Sequence, residues 1–278
     1  MFNITPPDKI NFKKISDNKA EVIIEPCYPG FGVTIGNSLR RVLLSSLDGA
    51  AVVGFKIVGV DHEFNSIPFV KEDVVDIILN LKKVRVKIYA DVDEEIKLNL
   101  VATGEKVVTA ADISKNSDVE IVSGDQPIAT LTDKNVKLDM EIIVKKGRGY
   151  VMVERRDKEK LEIGTIAIDA LYSPVVNVAF KIENTRVGEM TNYEKLILEI
   201  QTDGSITPKS AIQSAVNILV NEFEYLLNLD DAISKKSVSK DSKQEEVNEQ
   251  PDEEIAEKVE ELADKKEKKR GRPKKNDK

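Results

Sequence analysis

Three stretches of the chain repeat their apolar residues at helical spacing. Ile35, Leu39, Val42, Leu43 and Leu47 step by 4, 3, 1 and 4, which gathers them on one face of a helix over residues 34–49, with Gly49 as its C-terminal stop. Asp73–Leu81 reads as a second, short helix. The third stretch is the most informative. Thr207 caps it, Pro208 stands in its first turn, and Ile212, Val216, Leu219, Phe223 and Leu226 step by 4, 3, 4 and 3, a heptad-like seam. A helix over 208–229 spans roughly 33 Å at about 1.5 Å per residue. Ile218, Val220 and Leu227 add apolar surface off the seam. Such a helix needs two neighbours: its own sheet and another helix, or its own sheet and a second chain.

Elsewhere the apolar positions alternate or form short runs. Glu21–Glu25 reads as a strand closed by Pro26 and Pro29-Gly30. From Val84 to Ile182 short runs such as Ile96–Leu100, Val136–Ile142 and Val176–Phe180 are separated by turn residues, and Gly147-Arg148-Gly149 reads as a hairpin turn. Lys195–Ile200 is a further strand, followed by the turn Asp203-Gly204. The pattern is therefore mixed α and β.

Composition changes after Leu229. Residues 230–278 hold 14 Lys/Arg and 15 Asp/Glu and no aromatic residue, so they bury too little apolar surface to offset the entropy of ordering, and disorder is expected. Residues 241–264 carry a net charge of −9 and residues 265–278 a net +7. The whole chain is at −7, which excludes a uniformly basic nucleic-acid binder but not a local basic patch. With one cysteine, Cys27, no intrachain disulfide forms, and with one histidine, His62, no Cys/His zinc site of the usual kind is possible. No apolar run reaches a membrane span and the N-terminus has no signal-like segment. The expectation is a cytoplasmic protein, not held in a membrane, with no cofactor.

Candidate chemistry is sparse. Gly30-Phe31-Gly32-Val33-Thr34-Ile35-Gly36 follows a strand and opens a helix, but its G-x-G-x-x-x-G spacing is wrong for a dinucleotide loop; tight turning of strand into helix is the better reading. His62 reads as a structural histidine, with no nucleophile nearby in sequence. Arg41 falls opposite the apolar stripe of the first helix, flanked by Arg40 and Leu44. Two guanidinium groups beside an exposed leucine suit solvated surface or a docking patch equally. Near the C-terminus, Arg270-Gly271-Arg272-Pro273 with basic flanks resembles an AT-hook, in which glycine admits the backbone to a narrow A·T minor groove and the arginines run along its floor. A plain solubilising charge run is the alternative.

The segment Phe31–Ser46 is similar to the signature of the bacterial RNA polymerase α subunit. Further similarities follow in order: Asp61-His62-Glu63-Phe64, Glu72-Asp73-Val74 leading to Leu79-Asn80-Leu81-Lys82, Val108–Ile113, Asp118–Val122, Gly147–Tyr150, Asp169–Val175, Glu183–Val187, and the long helix after Pro208. The resemblance covers residues 5–229. It implies an α+β fold: a dimerisation domain (a sheet plus two helices) from residues 1–49 and 174–229, an inserted β-rich domain at 50–173, and then the disordered charged tail, 230–278. It implies a homodimer joined by the first and last helices, here through Leu39, Leu43, Ile212, Val216, Leu219, Phe223 and Leu226. That dimer is the platform for the β and β′ subunits of the polymerase that transcribes DNA into RNA. Arg40, Arg41 and Leu44 match the β-docking helix; Lys82, Ile168 and Asp169 match a surface that meets β′. The family's α chain carries no catalytic residue, metal or cofactor.

The family usually continues through a linker into a compact helical domain that binds A·T-rich promoter DNA. The aromatic-free tail reads differently, and the hook at Arg270, Gly271, Arg272 and Pro273 is a candidate partial substitute. Two rivals stay open at this stage: an architectural DNA-binding dimer with two hooks, and an enzyme using His62.

Overall fold

The two ends of the folded chain share one sheet. The computed structural model describes residues 4–89, 94–156, 162 and 164–227; the expectations for residues 228–278, the hook included, lie outside them. In chain order the elements are β1 (Lys9–Ser16), β2 (Lys19–Cys27), α1 (Phe31–Ser45), β3 (Asp48–Ile57), α2 (Val74–Leu81), β4 (Val86–Ile88), β5 (Ile96–Thr103), β6 (Lys106–Thr109), β7 (Val119–Ile121), β8 (Pro127–Leu131), β9 (Lys137–Arg148), β10 (Tyr150–Val151), β11 (Ile166–Ala167), β12 (Ala170–Leu171), β13 (Val175–Val187), β14 (Met190–Thr202) and α3 (Pro208–Leu227). The terminal sheet is antiparallel, in the order β1-β2-β14-β13. Alternate residues of β14, namely Leu196, Leu198 and Ile200, point to its buried face with Val22 of β2. Leu39 and Leu43 of α1 and Ala211 and Ala215 of α3 pack on the same core, as the period of 2 against the period of 3.6 requires.

The segment between these strands builds a second core. Its main sheet runs β11-β3-β9-β5, with α2 presenting Val74, Ile77 and Leu81 to the interior alongside Phe55, Leu100 and Ile142. Asp73 caps α2 by accepting from the Asp76 N–H at 2.7 Å. Strand β3 is buried on both faces, because Ala51 and Val53 join Tyr172 and Ile143 in a smaller cluster behind the sheet. Residues up to Phe223 form one compact unit, and Glu224–Leu227, the last turn of α3, belong to a second.

Several local expectations change. Helix α1 starts at Phe31 and stops at Ser45, so Gly49 is not a helix stop. It lies in β3, where a Cβ would stand 1.8 Å from the Tyr172 carbonyl oxygen. Gly147-Arg148-Gly149 is not the tip of a β9–β10 hairpin. Strand β10 pairs with β12, because Gly147 lies against the Tyr172 ring, and Gly149, at φ 64, turns its carbonyl to accept from the Tyr172 N–H at 2.9 Å. Helix α3 starts as expected, with Thr207 Oγ1 accepting from the Ser210 N–H at 3.3 Å. One residue is strained. Phe69, at φ 61, is the sole non-glycine with positive φ among the described residues, a conformation costing about 1–3 kcal/mol.

Candidate docking surfaces

Helix α1 is anchored at its start from a distance. The residue before it, Gly30, has φ 85 and offers no side-chain cap. The acceptor comes instead from β14: the Glu194 carboxylate accepts from the N–H groups of Gly30 and Gly32, each at 2.9 Å. Pairing of Glu194 with Cys27 across the β14–β2 ladder brings it there. Gly32 is glycine for this reason, since a Cβ would sit 2.7 Å from Glu194 Oε2. One turn later a Cβ on Gly36 would meet the Phe180 ring at 2.8 Å and Leu196 Cδ1 at 3.1 Å. The glycine pattern is thus a close-packing device for a helix lying on a sheet, with only Gly30 serving as the turn. Glu194 also acts on the neighbouring buried thiol: burial first, then its negative charge, raises the Cys27 pKa.

So anchored, α1 turns Arg40, Arg41 and Leu44 outward. Neither guanidinium has a hydrogen bond or ion pair among the described residues. Leu39 and Leu43, expected at a dimer interface, are buried within the protomer and offer no surface to a second chain. They lie one turn apart on the sheet-facing side of α1, so the protomer's own core already covers them. The seam on α3 divides in the same way. Ile212 and Leu219 pack onto the protomer's own core, whereas Val216 (40 % exposed) and Phe223 (59 %) face outward, with Val220 (44 %) between them. Leu226 and Leu227 are exposed as well. The open stripe of the first unit is therefore Val216, Val220 and Phe223, rotated from the expected seam because the protomer's sheet takes its other half.

A third constellation brings residues distant in sequence together. Lys82, following α2, pairs with Asp169 at 2.8 Å. Asp169 also accepts from the Tyr150 hydroxyl at 3.0 Å and the Val153 N–H at 3.0 Å. The Lys82 ammonium holds the Asp169 carboxyl below the usual carboxylate range, against the opposing effect of burial. The same carboxylate raises the Tyr150 hydroxyl. Ile168, expected on this surface, is buried in the inner core instead; its carbonyl accepts from Arg156, whose other bond goes to the Val53 carbonyl. In the connection between β11 and β12, Ile168 turns into the core and Asp169 toward Lys82.

His62 is exposed in the loop before α2, not packed as a structural histidine, and its imidazole enters no hydrogen bond or ion pair among the described residues. An open cleft of about 880 Å³ beside the start of α3 is lined by Lys87, Arg148 and Ser205 among others, with Arg148 held by Asp48. Among the described residues no cluster of three or more His, Cys, Asp or Glu is placed to hold a metal, and no helix is long and apolar enough to cross a membrane.

Comparison with known proteins places this architecture. Residues 53–173 match the RNA polymerase Rpb3/RpoA insert domain, the stretch that builds the second core, which defines the chain as an RNA polymerase subunit of the insert-bearing kind. Over 231 residues it is 43 % identical to the DNA-directed RNA polymerase subunit alpha of Carboxydothermus hydrogenoformans, covering 83 % of this chain and 72 % of that one. The corresponding subunit of Rickettsia rickettsii is 44 % identical over 238 residues (85 % and 69 %), and that of Moorella thermoacetica 44 % over 234 residues (84 % and 74 %). The chain belongs to the family of bacterial DNA-directed RNA polymerase α subunits. It is one component of a multisubunit nucleotidyltransferase.

Proposed function

We propose that the chain works as a homodimeric assembly scaffold in the cytoplasm, joined through the outer stripe of α3 and offering α1 to the β subunit and the Lys82–Asp169 edge to β′. The observation that supports this best is the pair Arg40 and Arg41, exposed beside Leu44 without partners among the described residues, on a helix whose start is fixed by Glu194. Arginine pairs bidentately with carboxylates and tolerates partial burial, so it suits a protein interface. Val216, Val220 and Phe223 support the dimer, since burial of such side chains stabilises by about 1.5–3 kcal/mol each. The test is the mass in solution of the full chain, alone and mixed with purified β. A dimer that takes up β is expected, with Arg41→Ala keeping the dimer and weakening β uptake. A monomer, or an Arg41→Ala variant that takes up β as well as the parent, refutes the reading.

The sequence Arg270-Gly271-Arg272-Pro273 supports a second contact, with A·T-rich promoter DNA through the tail. Full chain and an Arg270→Ala/Arg272→Ala variant are titrated against A·T-rich and G·C-rich duplexes of equal length. Preference for A·T, lost in the variant, is expected; equal affinity with one salt slope reduces the motif to a polycation.

A further inference from the structure

The cleft of about 880 Å³ beside the start of α3 takes its chemistry from the register of β3 against β9. Asp48 stands opposite Arg148, Gly49 opposite Gly147 and Ala50 opposite Lys146. Alternate residues of a strand share a face, so Asp48, Ala50, Lys146 and Arg148 point one way. The two glycines serve the other face, where a Cβ on either would strike Tyr172. Ala50 contributes only a methyl group to the wall. Strand β4 brings Lys87 to the same cleft, and the first turn of α3 brings Ser210.

Lys87 and Lys146 are both half-buried. The cross-strand neighbour of Lys87 is Glu120 on β7, but the Glu120 carboxylate accepts from the Tyr89 hydroxyl. The Lys87 ammonium lies instead 4.7 Å from the centre of the Tyr89 ring and enters no ion pair among the described residues. Asp48 is the one carboxylate in the lining, and Arg148 already engages it. The lining therefore carries three cations against one anion, a net positive charge that selects for an anionic occupant. Pockets for small molecules measure about 300–1,000 Å³, so a lone phosphate would leave most of this one empty. Val86, Ile88 and Ile206 supply an apolar stretch of wall for the rest of a larger molecule. Each ammonium offers three donors, and bonds from such cations to phosphate oxygens are charge-assisted.

We propose that this cleft binds a phosphorylated small molecule of nucleotide size, with its phosphates among Lys87, Lys146 and Arg148 and its less polar part against Val86, Ile88 and Ile206.

The test titrates ATP, and separately pyrophosphate, into the full-length chain by isothermal calorimetry, with EDTA present so that no metal bridges the phosphates. Saturable binding of ATP at one site per chain is expected, with pyrophosphate weaker. Lys87→Ala/Lys146→Ala is expected to weaken ATP binding by about tenfold or more, through loss of charge-assisted bonds. Ser210→Glu puts a carboxylate into the cleft from an exposed position. Three residues after Thr207, that glutamate completes a capping box, so the melting temperature is expected at or above the parent's while ATP binding weakens. Lys13→Ala/Lys14→Ala removes the same charge from β1, away from the cleft, and is expected to leave the affinity unchanged. No saturable ATP binding by the parent overturns the proposal, as does full affinity in both cleft variants. An equal loss in the β1 variant reduces the binding to general electrostatic attraction and overturns it too. Pyrophosphate binding as tightly as ATP removes the apolar wall from the site and overturns the assignment of a nucleotide-sized ligand.

Discussion

Removing the Glu194 carboxylate tests how α1 is held. In Glu194→Ala the N–H groups of Gly30 and Gly32 lose their acceptor at once. Each bond is 2.9 Å long and charge-assisted, but one is exposed and the other only partly buried. Loss of a helix cap costs about 0.5–2 kcal/mol and of a hydrogen bond to a charged group about 1.5–3; water can replace part of the exposed one, so about 2 kcal/mol is expected. For a folded region of this size that is a fall in melting temperature of roughly 4–8 °C. The sharper test is a double-mutant cycle with Gly32→Ala. In the parent the new Cβ would stand 2.7 Å from Glu194 Oε2, so it expels the carboxylate and loses the cap, offsetting the gain of up to about 1 kcal/mol that alanine brings to a helix. In the Glu194→Ala background the nearest obstacle is gone and the same change should stabilise. The coupling is expected near 2 kcal/mol, read by urea unfolding of full-length protein at one fixed protein concentration, because the proposed dimerisation would be linked to stability. Additivity within about 0.5 kcal/mol would show that Glu194 and Gly32 do not act on each other, and that the glycine is there for another reason.

Three further outcomes follow from the same geometry. Phe223→Glu, on the open stripe of α3, should yield a folded monomer by light scattering, whereas Leu43→Ala, inside the protomer core, should lose about 2–5 kcal/mol of stability and still dimerise when folded. Asp169 has a depressed pKa in the folded state, so its stabilisation is complete above the unfolded value of roughly 3.9 and is lost as pH falls through the lower folded value; Asp169→Asn should flatten the stability–pH curve in that acidic window, seen by unfolding at stepped pH. Glu194→Ala should also lower the Cys27 pKa by removing a nearby negative charge, measured by the pH dependence of thiol alkylation.

Periodicity reported each helix well, because an amphipathic helix writes its buried face into local spacing. It reported less well which neighbour covers that face. Leu39 and Leu43 fit an interface as readily as a core by spacing alone, and the structure assigns them to the core. On α3 the apolar residues outnumber what one sheet can cover, and the division between Ile212 and Leu219 inside and Val216 and Phe223 outside depends on where that sheet stands. Ile168 and Asp169 are neighbours in the connection between β11 and β12, yet Ile168 turns into the core and Asp169 toward Lys82, a division that spacing alone does not reveal. Glu194 went unnoticed since its partners lie more than 160 residues away. A signal did exist: α1 begins at Gly30 with no Ser, Thr, Asp or Asn to cap it, and the orphan N–H groups of a helix start must find an acceptor somewhere. Gly49 and Gly147 misled for a related reason. A glycine can mark a turn or a close approach, and only the position of Tyr172 shows that both serve the second purpose.

The sheet closed by β1 and β2 with β13 and β14 has a consequence for synthesis. The hairpin of β1 and β2 leaves the ribosome with Ile10, Phe12 and Ile15 uncovered, and its pairing strand β14 begins at Met190, 163 residues after Cys27. At translation rates of roughly 5–20 residues per second the nascent hairpin waits about 8–30 s for its partner. The edge left open during that interval is that of β2, whose charged residues Lys19, Glu21 and Glu25 help keep it in solution. The intervening module can collapse on its own core in the meantime, so the chain completes its middle before its ends meet.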